Sequence, residues 1–359
     1  MVFAGHKHNL KLSRRNGQRY IVMGPTGANL GPSEVKQLGA FHHYATVTVE
    51  DDSAYIAIRE PGMVWPEDIS QSGFAGKLSG AVKCEYVGFN GVESAVPTLR
   101  YTISVTNPFD DTLSVNIRLE SMRPGAWRST SKPTQTLVLG PGQSETVRIQ
   151  VSTKPGMLLP LPRVRLVTKI AGAIARDRVR KLSLYPDSVM GAVPDWMTLA
   201  PIPSGPVNTA LIEGPQAAIP GVFAHPELTR GWSKASSGVD SLTWRELKAD
   251  ISGRVPLAEN YGREDMRVAI ASCAIYSPDS RSVLVSIAAN DFANLAVNGK
   301  SAMSGRFCRL HSGAEYTWVR LDKGWNTLTS RVVNLGAGWW VTLRVADPQN
   351  DLKFAAHAP

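Results

Sequence analysis

Two histidines near the start of the chain have a spacing that could hold metal ions. The tetrapeptide Gly-His-Lys-His at residues 5–8 follows a short apolar run at residues 2–4. Side chains alternate along a strand, so His6 and His8 point the same way at its end. Neutral imidazoles placed in this way are good ligands for Mn, Fe or Zn. The spacing favours a metal site here, and a solvated pair of histidines is the alternative.

The segments that follow the histidines resemble the C-terminal end of a calcineurin-like metallophosphoesterase. The apolar run and G-H-x-H are followed by a strand at residues 18–24, a glycine loop, and a hairpin at residues 41–59 that turns at Asp51-Asp52. The resemblance covers residues 1–70. It implies that His6 and His8 help to hold two divalent metal ions (Mn, Fe or Zn), and that the intact parent hydrolyses a phosphoester substrate.

The other ligand motifs of that family are missing. The sequence contains no Gly-Asp dipeptide, no Asn-His dipeptide and no D-x-H. A two-metal site places its ions about 3.5–4 Å apart and needs several anionic ligands, which two imidazoles do not supply. The sequence therefore predicts a truncated phosphoesterase end without activity of its own. The resemblance also implies a secreted or periplasmic parent, whose signal lies outside this chain.

Residues 62–80 contain Pro66 and a cluster of glycine and serine, which predicts a linker. Alternating strands follow over residues 81–185, including residues 99–106, 113–119 and 145–151. A strand that ends in Thr-Asn-Pro, followed by L-x-L-x-P-G-Q-S-x-x-V-x-I-x-V, resembles the immunoglobulin-like modules of bacterial hydrolases. This pattern indicates a β-sandwich and says little about function, because sandwiches support many activities.

The last part of the chain, residues 195–347, resembles a galactose-binding-like jelly roll. Six apolar, alternating segments lie between residues 268 and 345. Asn298-Gly299 predicts a type I′ hairpin turn, and Asp322-Lys-Gly324 predicts a second turn. We expect this strand set to close a core of its own.

The jelly roll offers one candidate ligand site. Asn290 and Asp291 could form hydrogen bonds to a sugar, with Phe292 as the neighbouring aromatic residue, or the polar pair could bind calcium. The alternative is a turn whose polar groups satisfy one another. Trp325, Trp339 and Trp340 are expected in the core and at its rim, as is Trp127 in the sandwich. Because side chains alternate, Trp339 and Trp340 face opposite ways.

Composition excludes several classes of protein. No apolar stretch reaches 18 residues, so no membrane span is expected. The net charge is +9, but the densest basic run, residues 174–183, alternates like a strand and carries no aromatic residues, which makes nucleic acid an unlikely partner. Cys84, Cys273 and Cys308 lack metal-binding spacing. They are expected as buried thiols, with a Cys273–Cys308 bridge as the alternative.

The sequence thus predicts a mainly β chain in three parts: a truncated metallophosphoesterase end (1–70), an immunoglobulin-like sandwich (81–185) and a galactose-binding-like jelly roll (195–347). Residues 81–359 contain no nucleophile elbow, no zinc-protease motif and no phosphate loop, so no catalytic residue is assigned. The predicted function is that of the C-terminal portion of a metal-dependent phosphoesterase. The alternative is a non-catalytic binding or spacer protein that positions a partner and could bind carbohydrate.

Overall fold

Strands dominate the chain, as the alternation of apolar residues predicts. The computed structural model describes all residues except 6–7, 25, 28, 31–32, 71, 121–125, 131, 204–231, 234–240, 243, 263–266, 308–313, 337 and 359. The chain divides into two units, Met1–Leu184 and Tyr185–Pro359. The division falls one residue before the predicted end of the second domain. Among the described residues, no helix is long and apolar enough to cross a membrane.

The first unit begins with two small sheets. The first has the order β1-β3-β2, with β1 parallel to β3, and the second is an antiparallel meander in the order β4-β5-β6. A 3-10 helix, Lys36–Leu38, lies between them. The predicted turn at Asp51-Asp52 is confirmed, because Glu50 pairs with Ser53. The strands are β1 (Val2–Ala4), β2 (Lys11–Arg15), β3 (Gln18–Val22), β4 (Tyr44–Glu50), β5 (Ser53–Glu60) and β6 (Met63–Trp65).

A small apolar core stabilises these two sheets. Leu10 lies at its centre and is fully buried. The Leu10 N–H donates to the Gly39 carbonyl at 2.8 Å, and the Leu10 carbonyl accepts from Ser70 Oγ at 2.7 Å. The core is limited, since several large apolar side chains of the same sheets remain exposed. The buried core residues are Leu10, Leu12, Ile21, Phe41 and Ile58.

The predicted linker is wrong for its second half, because residues 72–81 form helix α1 (Ser72–Ala81). Its glycine-rich sequence has a weak intrinsic preference for the helix. Packing overrides that preference: Leu78 is buried, and the Phe74 ring lies 4.7 Å from the Phe109 ring, centroid to centroid. The helix therefore belongs to the packed unit and leads directly into the sandwich.

The sandwich consists of two four-stranded sheets, in the orders β10-β12-β8-β7 and β11-β9-β13-β14. Inward positions alternate along each strand, and Leu99, Ile103, Val115 and Val164 are fully buried between the sheets. Trp127 is also buried, in agreement with its predicted place in the core. The strands are β7 (Val82–Phe89), β8 (Thr98–Thr106), β9 (Leu113–Glu120), β10 (Trp127–Ser129), β11 (Thr134–Leu139), β12 (Ser144–Thr153), β13 (Arg163–Ile170) and β14 (Ala173–Lys181).

The second unit contains a four-stranded sheet, in the order β15-β26-β21-β24, and a larger one. The larger sheet has the order β19-β16-β20-β25-β22-β23, with β27 also paired to β20. A short helix, α2 (Leu257–Tyr261), precedes β20. The strands are β15 (Met190–Ala192), β16 (Asp195–Pro203), β17 (Trp232–Ser233), β18 (Ser241–Leu242), β19 (Arg245–Lys248), β20 (Arg267–Ser277), β21 (Arg281–Asn290), β22 (Phe292–Val297), β23 (Lys300–Phe307), β24 (Glu315–Leu321), β25 (Gly324–Asn334), β26 (Trp340–Ala346) and β27 (Lys353–Ala355).

The inward-facing residues of the two sheets form a large, mainly apolar core in the second unit. Trp339 is 1% exposed whereas Trp340 is half-exposed, which confirms that the two face opposite ways. The predicted hairpin turn at Asn298-Gly299 is confirmed: the two residues have positive φ angles of 50° and 76°, and Val297 pairs with Lys300. The second predicted hairpin, at residues 322–324, is wrong. The chain does turn there, but β24 pairs with β21 and β25 pairs with β20 and β22, so this turn connects the two sheets.

Candidate functional site

The predicted metal motif is described only in part. His6 lies outside the described residues. His8 is exposed, and its Nδ1 lies 2.7 Å from the Asn29 carbonyl. If Nδ1 carries the proton, this bond leaves Nε2 facing away with its lone pair available. Among the described residues, no group of three or more His, Cys, Asp or Glu side chains could hold a metal ion.

A second histidine of the first unit has a purely structural environment. His43 is 2% exposed, and both of its ring nitrogens have backbone partners. Nδ1 lies 2.7 Å from the Phe41 carbonyl, and Nε2 accepts the Gly24 N–H at 3.2 Å. Both nitrogens are therefore occupied, so His43 supports the loop and does not extend the histidine motif.

The predicted polar pair of the jelly roll lies at the end of β21. Asn290 stands opposite Trp340 on β26, and its Nδ2 donates to the Gly338 carbonyl at 2.6 Å. Asp291 is 7% exposed, and its Oδ2 accepts the Leu335 N–H at 2.8 Å. One polar atom of each side chain thus bonds to the backbone of residues 335–338, and these bonds are not the local turn bonds that the sequence suggested as the alternative to a sugar or calcium site.

The neighbouring aromatic residue of that pair is buried. Phe292 is 3% exposed and packs with Ile270 and Val333 in a second apolar cluster of the larger sheet. In this position the ring stabilises the sheet. The assignment of Asn290, Asp291 and Phe292 to a ligand site stays a prediction.

Two other aromatic residues form a surface at one end of the larger sheet. Tyr276 on β20 pairs with Trp325 on β25, and Lys353 on β27 pairs with Tyr276 from the other side. Directly paired residues share a face of the sheet, so the three side chains stand in a row. We call this row (Tyr276, Trp325 and Lys353) the aromatic corner.

The two rings of the aromatic corner meet at an angle at the surface. The centroids of the Tyr276 and Trp325 rings are 5.6 Å apart, and the planes make an angle of 65°. Lys353 Nζ lies 5.5 Å from the centroid of the Tyr276 ring. Trp325 is 36% exposed, and the Lys353 side chain is also exposed. The rings of Trp325 and Tyr276 therefore form two sides of a corner, and the Lys353 ammonium group lies at its edge.

A buried amide fixes the turn that carries Trp325. Asn326 is fully buried on the inward side of β25. Its Oδ1 accepts the Asp322 N–H at 2.8 Å, and its Nδ2 donates to the carbonyls of Asp322 and Gly324 at 2.8 and 3.0 Å. Oδ1 also accepts from Nδ2 of Asn298 at 2.9 Å, which joins this turn to the hairpin at Asn298-Gly299. This network holds the start of β25, and with it the ring of Trp325.

Another half-exposed tryptophan, Trp340, is in contact with a cation. The guanidinium carbon of Arg254 lies 4.5 Å from the centroid of the Trp340 ring. A cation in this position covers one face of the ring. Trp340 therefore offers a matched control for Trp325, since both are half-exposed tryptophans on strands of the same unit.

The sequence predicts Trp325 in the core or at its rim, and no pattern around it indicates binding. Its exposure depends on its place at the end of an outward face. Its polar neighbour, Lys353, comes from β27, beyond residue 347 where the jelly roll was predicted to end. The alternation of residues 324–334 predicts which side chains of the strand face outward. No local sequence pattern predicts which end of that outward face is exposed to solvent.

The cysteines show no reactive arrangement among the described residues. Cys84 and Cys273 are buried free thiols, so Cys273 forms no bridge, and Cys308 lies outside the described residues. Burial raises the pKa of both described thiols. Neutral, buried thiols of this kind are poor nucleophiles.

No family model matches the chain, and no curated protein matches it. The resemblance to metallophosphoesterases gains no support from these comparisons. Several solved structures show a weak likeness. The A domain of epithelial adhesin 9 from Candida glabrata, in complex with Galβ1-3GlcNAc, is 11% identical; 47% of this chain and 88% of that chain are covered, with a TM-score of 0.23.

Two further structures have similarly low scores. A lectin from Pleurotus ostreatus in complex with GalNAc is 12% identical over 76% of this chain and 81% of that chain, with a TM-score of 0.20. An anti-sigma factor domain-containing protein from Clostridium clariflavum is 8% identical over 76% of this chain and 86% of that chain, with a TM-score of 0.23. At such scores the likeness carries no conclusion about function, which has to come from the site itself.

Proposed function

We propose that this protein is a non-catalytic binding protein whose second unit binds carbohydrate at the aromatic corner. The observation that carries this proposal is the exposure of Trp325, whose ring stands at an angle to the ring of Tyr276. Burial of an indole ring stabilises a protein, so a tryptophan that stays at the surface of a strand does not contribute this stabilisation in full. Here the ring remains at the surface while another tryptophan of the unit, Trp339, is buried.

The chemistry of the corner suits a sugar ring. One face of many pyranose rings presents C–H groups, which pack on the electron-rich face of an aromatic ring, while the hydroxyl groups point to the side. The two rings of the corner can pack against the C–H face of a sugar, and Lys353 can donate hydrogen bonds to its hydroxyl oxygens. Thr327, two residues after Trp325 on the same face, offers a hydroxyl group.

The affinity is expected to be weak. The corner is open and buries little of any ligand, and specific small-molecule sites normally bury most of the ligand surface. A chain of sugar units that extends along the sheet would bind better than a monosaccharide. We therefore expect a polysaccharide or oligosaccharide as the partner.

The test is a titration of the whole chain with soluble galactan, xylan, β-glucan and chitin oligosaccharides, followed by intrinsic fluorescence and calorimetry. We expect saturable binding to at least one of them, with a change in tryptophan emission. Trp325→Ala should weaken it at least ~30-fold, because truncation of a central aromatic contact costs about 2 kcal/mol or more. Trp340→Ala should bind as the wild type does.

Two results would contradict the proposal. One is the absence of binding across the panel. The other is a loss of binding in Asn290→Ala or Asp291→Ala while Trp325→Ala still binds, which would move the site to the end of β21. Circular dichroism of each variant establishes that it is folded.

The phosphoesterase fragment is a second candidate function. The orientation of His8 favours it, since a metal-ligating histidine commonly donates its other ring N–H to a carbonyl group, as Nδ1 can to Asn29. The described residues do not fit a two-metal site, however, because no cluster of His, Cys, Asp or Glu accompanies His8. No catalytic step is derived from it.

An assay decides this candidate. With Mn²⁺ or Zn²⁺ present, the chain should hydrolyse an aryl phosphodiester and a phosphomonoester only at the background rate, because the anionic ligands of a two-metal site are missing. Turnover above background that disappears in His8→Ala would contradict this expectation. His42→Ala, a histidine outside the motif, is the matched control.

A further inference from the structure

Three arginines share one face of the last strand of the sandwich. Arg176, Arg178 and Arg180 occupy alternate positions of β14, which is an edge strand. Alternate residues of a strand point the same way and recur about every 7 Å. Arg178 and Arg180 are exposed, and Arg176 is half-buried. We call these three residues the arginine stripe; they form most of the basic run that the sequence placed on a strand face.

The stripe lies at the edge of the sandwich, on the side of β14 that faces the other sheet. Arg180 pairs with the buried Val164, so the stripe lies on the inward side of its sheet. The Nη2 atom of Arg176 donates to Ser79 Oγ of helix α1 at 3.2 Å. The charge of Arg180 counteracts the rise in the pKa of Cys84 on β7, which places Arg180 near that strand. The stripe therefore lies on the side of β14 that faces α1 and β7, with Arg178 and Arg180 exposed.

Two described carboxylates lie at β14 itself, and both have partners other than the stripe. Glu34 Oε2 accepts the Ile174 N–H at 2.8 Å. The carboxylate of Asp177 accepts two hydrogen bonds from Arg165, at 2.9 and 2.6 Å, on the opposite face of the sheet. No described carboxylate forms a salt bridge with the stripe. Burial and the charge of Arg178 both lower the pKa of Arg176, so a bound anion would relieve repulsion within the row.

We propose that the arginine stripe binds a linear acidic polysaccharide. Guanidinium groups form paired hydrogen bonds with carboxylate and sulfate oxygens, and three of them in a row match a chain whose acidic groups recur along its length. Single-stranded nucleic acid fits less well, because its binding surfaces combine basic groups with aromatic residues that stack on bases. The strand Ala173–Lys181 has no aromatic residue.

This inference goes beyond the proposed function, since it concerns the first unit and a polysaccharide that is recognised by its acidic groups. A purely structural explanation also exists: charged residues on an edge strand discourage pairing with another chain. The two explanations differ in one respect that can be measured. A structural role predicts no preference among anions of equal charge.

The experiment measures binding of the whole chain to sodium polygalacturonate, to heparin and to a single-stranded DNA of matched length, at 50 and 200 mM salt. The test variant is Arg176→Gln/Arg178→Gln/Arg180→Gln. The control variant, Arg100→Gln/Arg128→Gln/Arg148→Gln, removes the same net charge from exposed positions on the other sheet. Because Arg176 is half-buried, the double variant Arg178→Gln/Arg180→Gln is measured beside them.

We expect the wild type to bind at least one acidic polysaccharide more tightly than DNA, with an affinity that falls as salt rises. The triple variant should lose at least ~10-fold in affinity and the double variant at least ~3-fold, and the control should change by less than ~2-fold. Equal losses in the test and control variants would overturn the proposal, because net charge alone would then explain binding. Tighter binding to DNA, or no binding to either polysaccharide, would overturn it as well.

Discussion

Replacement of Gly39 by alanine is expected to unfold the small core formed by residues 10–58. Gly39 has a φ of 76°, and a Cβ atom there would lie 2.0 Å from the Leu10 carbonyl oxygen. The left-handed conformation costs alanine about 1–2 kcal/mol, and overpacking adds roughly 1–3 kcal/mol. The displaced carbonyl would also lose the hydrogen bond from Ser70. The free energy of unfolding of such a small core is low, so a loss of this size is expected to unfold it.

Hydrogen exchange measures this effect locally. Peptides that cover residues 10–23 and 41–58 should exchange much faster in Gly39→Ala, while the sandwich peptide of residues 99–106 stays protected. Gly17→Ala is the matched control, since Gly17 has nearly the same φ, 75°, but open space around it. Equal acceleration in the two variants would show that the close approach to Leu10 does not contribute.

Replacement of Asn326 by alanine is expected to lower the free energy of unfolding of the second unit by about 3 kcal/mol. The side chain is fully buried and joins Asp322, Gly324 and Asn298 through four hydrogen bonds. Removing one partner leaves buried polar groups unsatisfied, at a cost of about 1–3 kcal/mol each. Water can satisfy part of them near the surface, so the total stays below the sum.

The variant should also affect binding at the aromatic corner. Asn326 does not face the ligand, and it acts by holding the turn before Trp325. We therefore expect Asn326→Ala to bind polysaccharide several-fold more weakly under conditions where it is still folded. The control is Asn260→Ala, an exposed residue with a single hydrogen bond, to the Pro256 carbonyl. It should shift the denaturation midpoint little. A loss of stability in Asn326→Ala without any loss of affinity would show that the turn before Trp325 does not position the binding site.

The sheets could be predicted where local chemistry determines them. Alternation located most strands of the sandwich and of the second unit, and Asn298-Gly299 located a turn, because a type I′ turn requires two residues that tolerate positive φ. Helix α1 was missed because its sequence, rich in glycine and serine, resembles a loop. Its contact between Phe74 and Phe109 comes from residues 35 positions apart, which no local pattern reveals.

The candidate site could be predicted less well than the fold. The sequence drew attention to Asn290 and Asp291, because adjacent polar residues at the end of a strand can bind a ligand. In the structure the Asn290 side chain donates to the Gly338 carbonyl and the Asp291 side chain accepts from the Leu335 N–H, both in the segment between β25 and β26. Tyr276, Trp325 and Lys353 come from three separate strands, and only the register of those strands brings them together.

Hydrogen exchange with and without ligand would locate the binding surface directly. A saturating amount of the polysaccharide that binds best should slow exchange in residues 272–277, 322–328 and 353–355, and leave residues 284–292 unchanged. Protection centred on residues 288–292, or on the first unit for a neutral polysaccharide, would contradict binding at the aromatic corner.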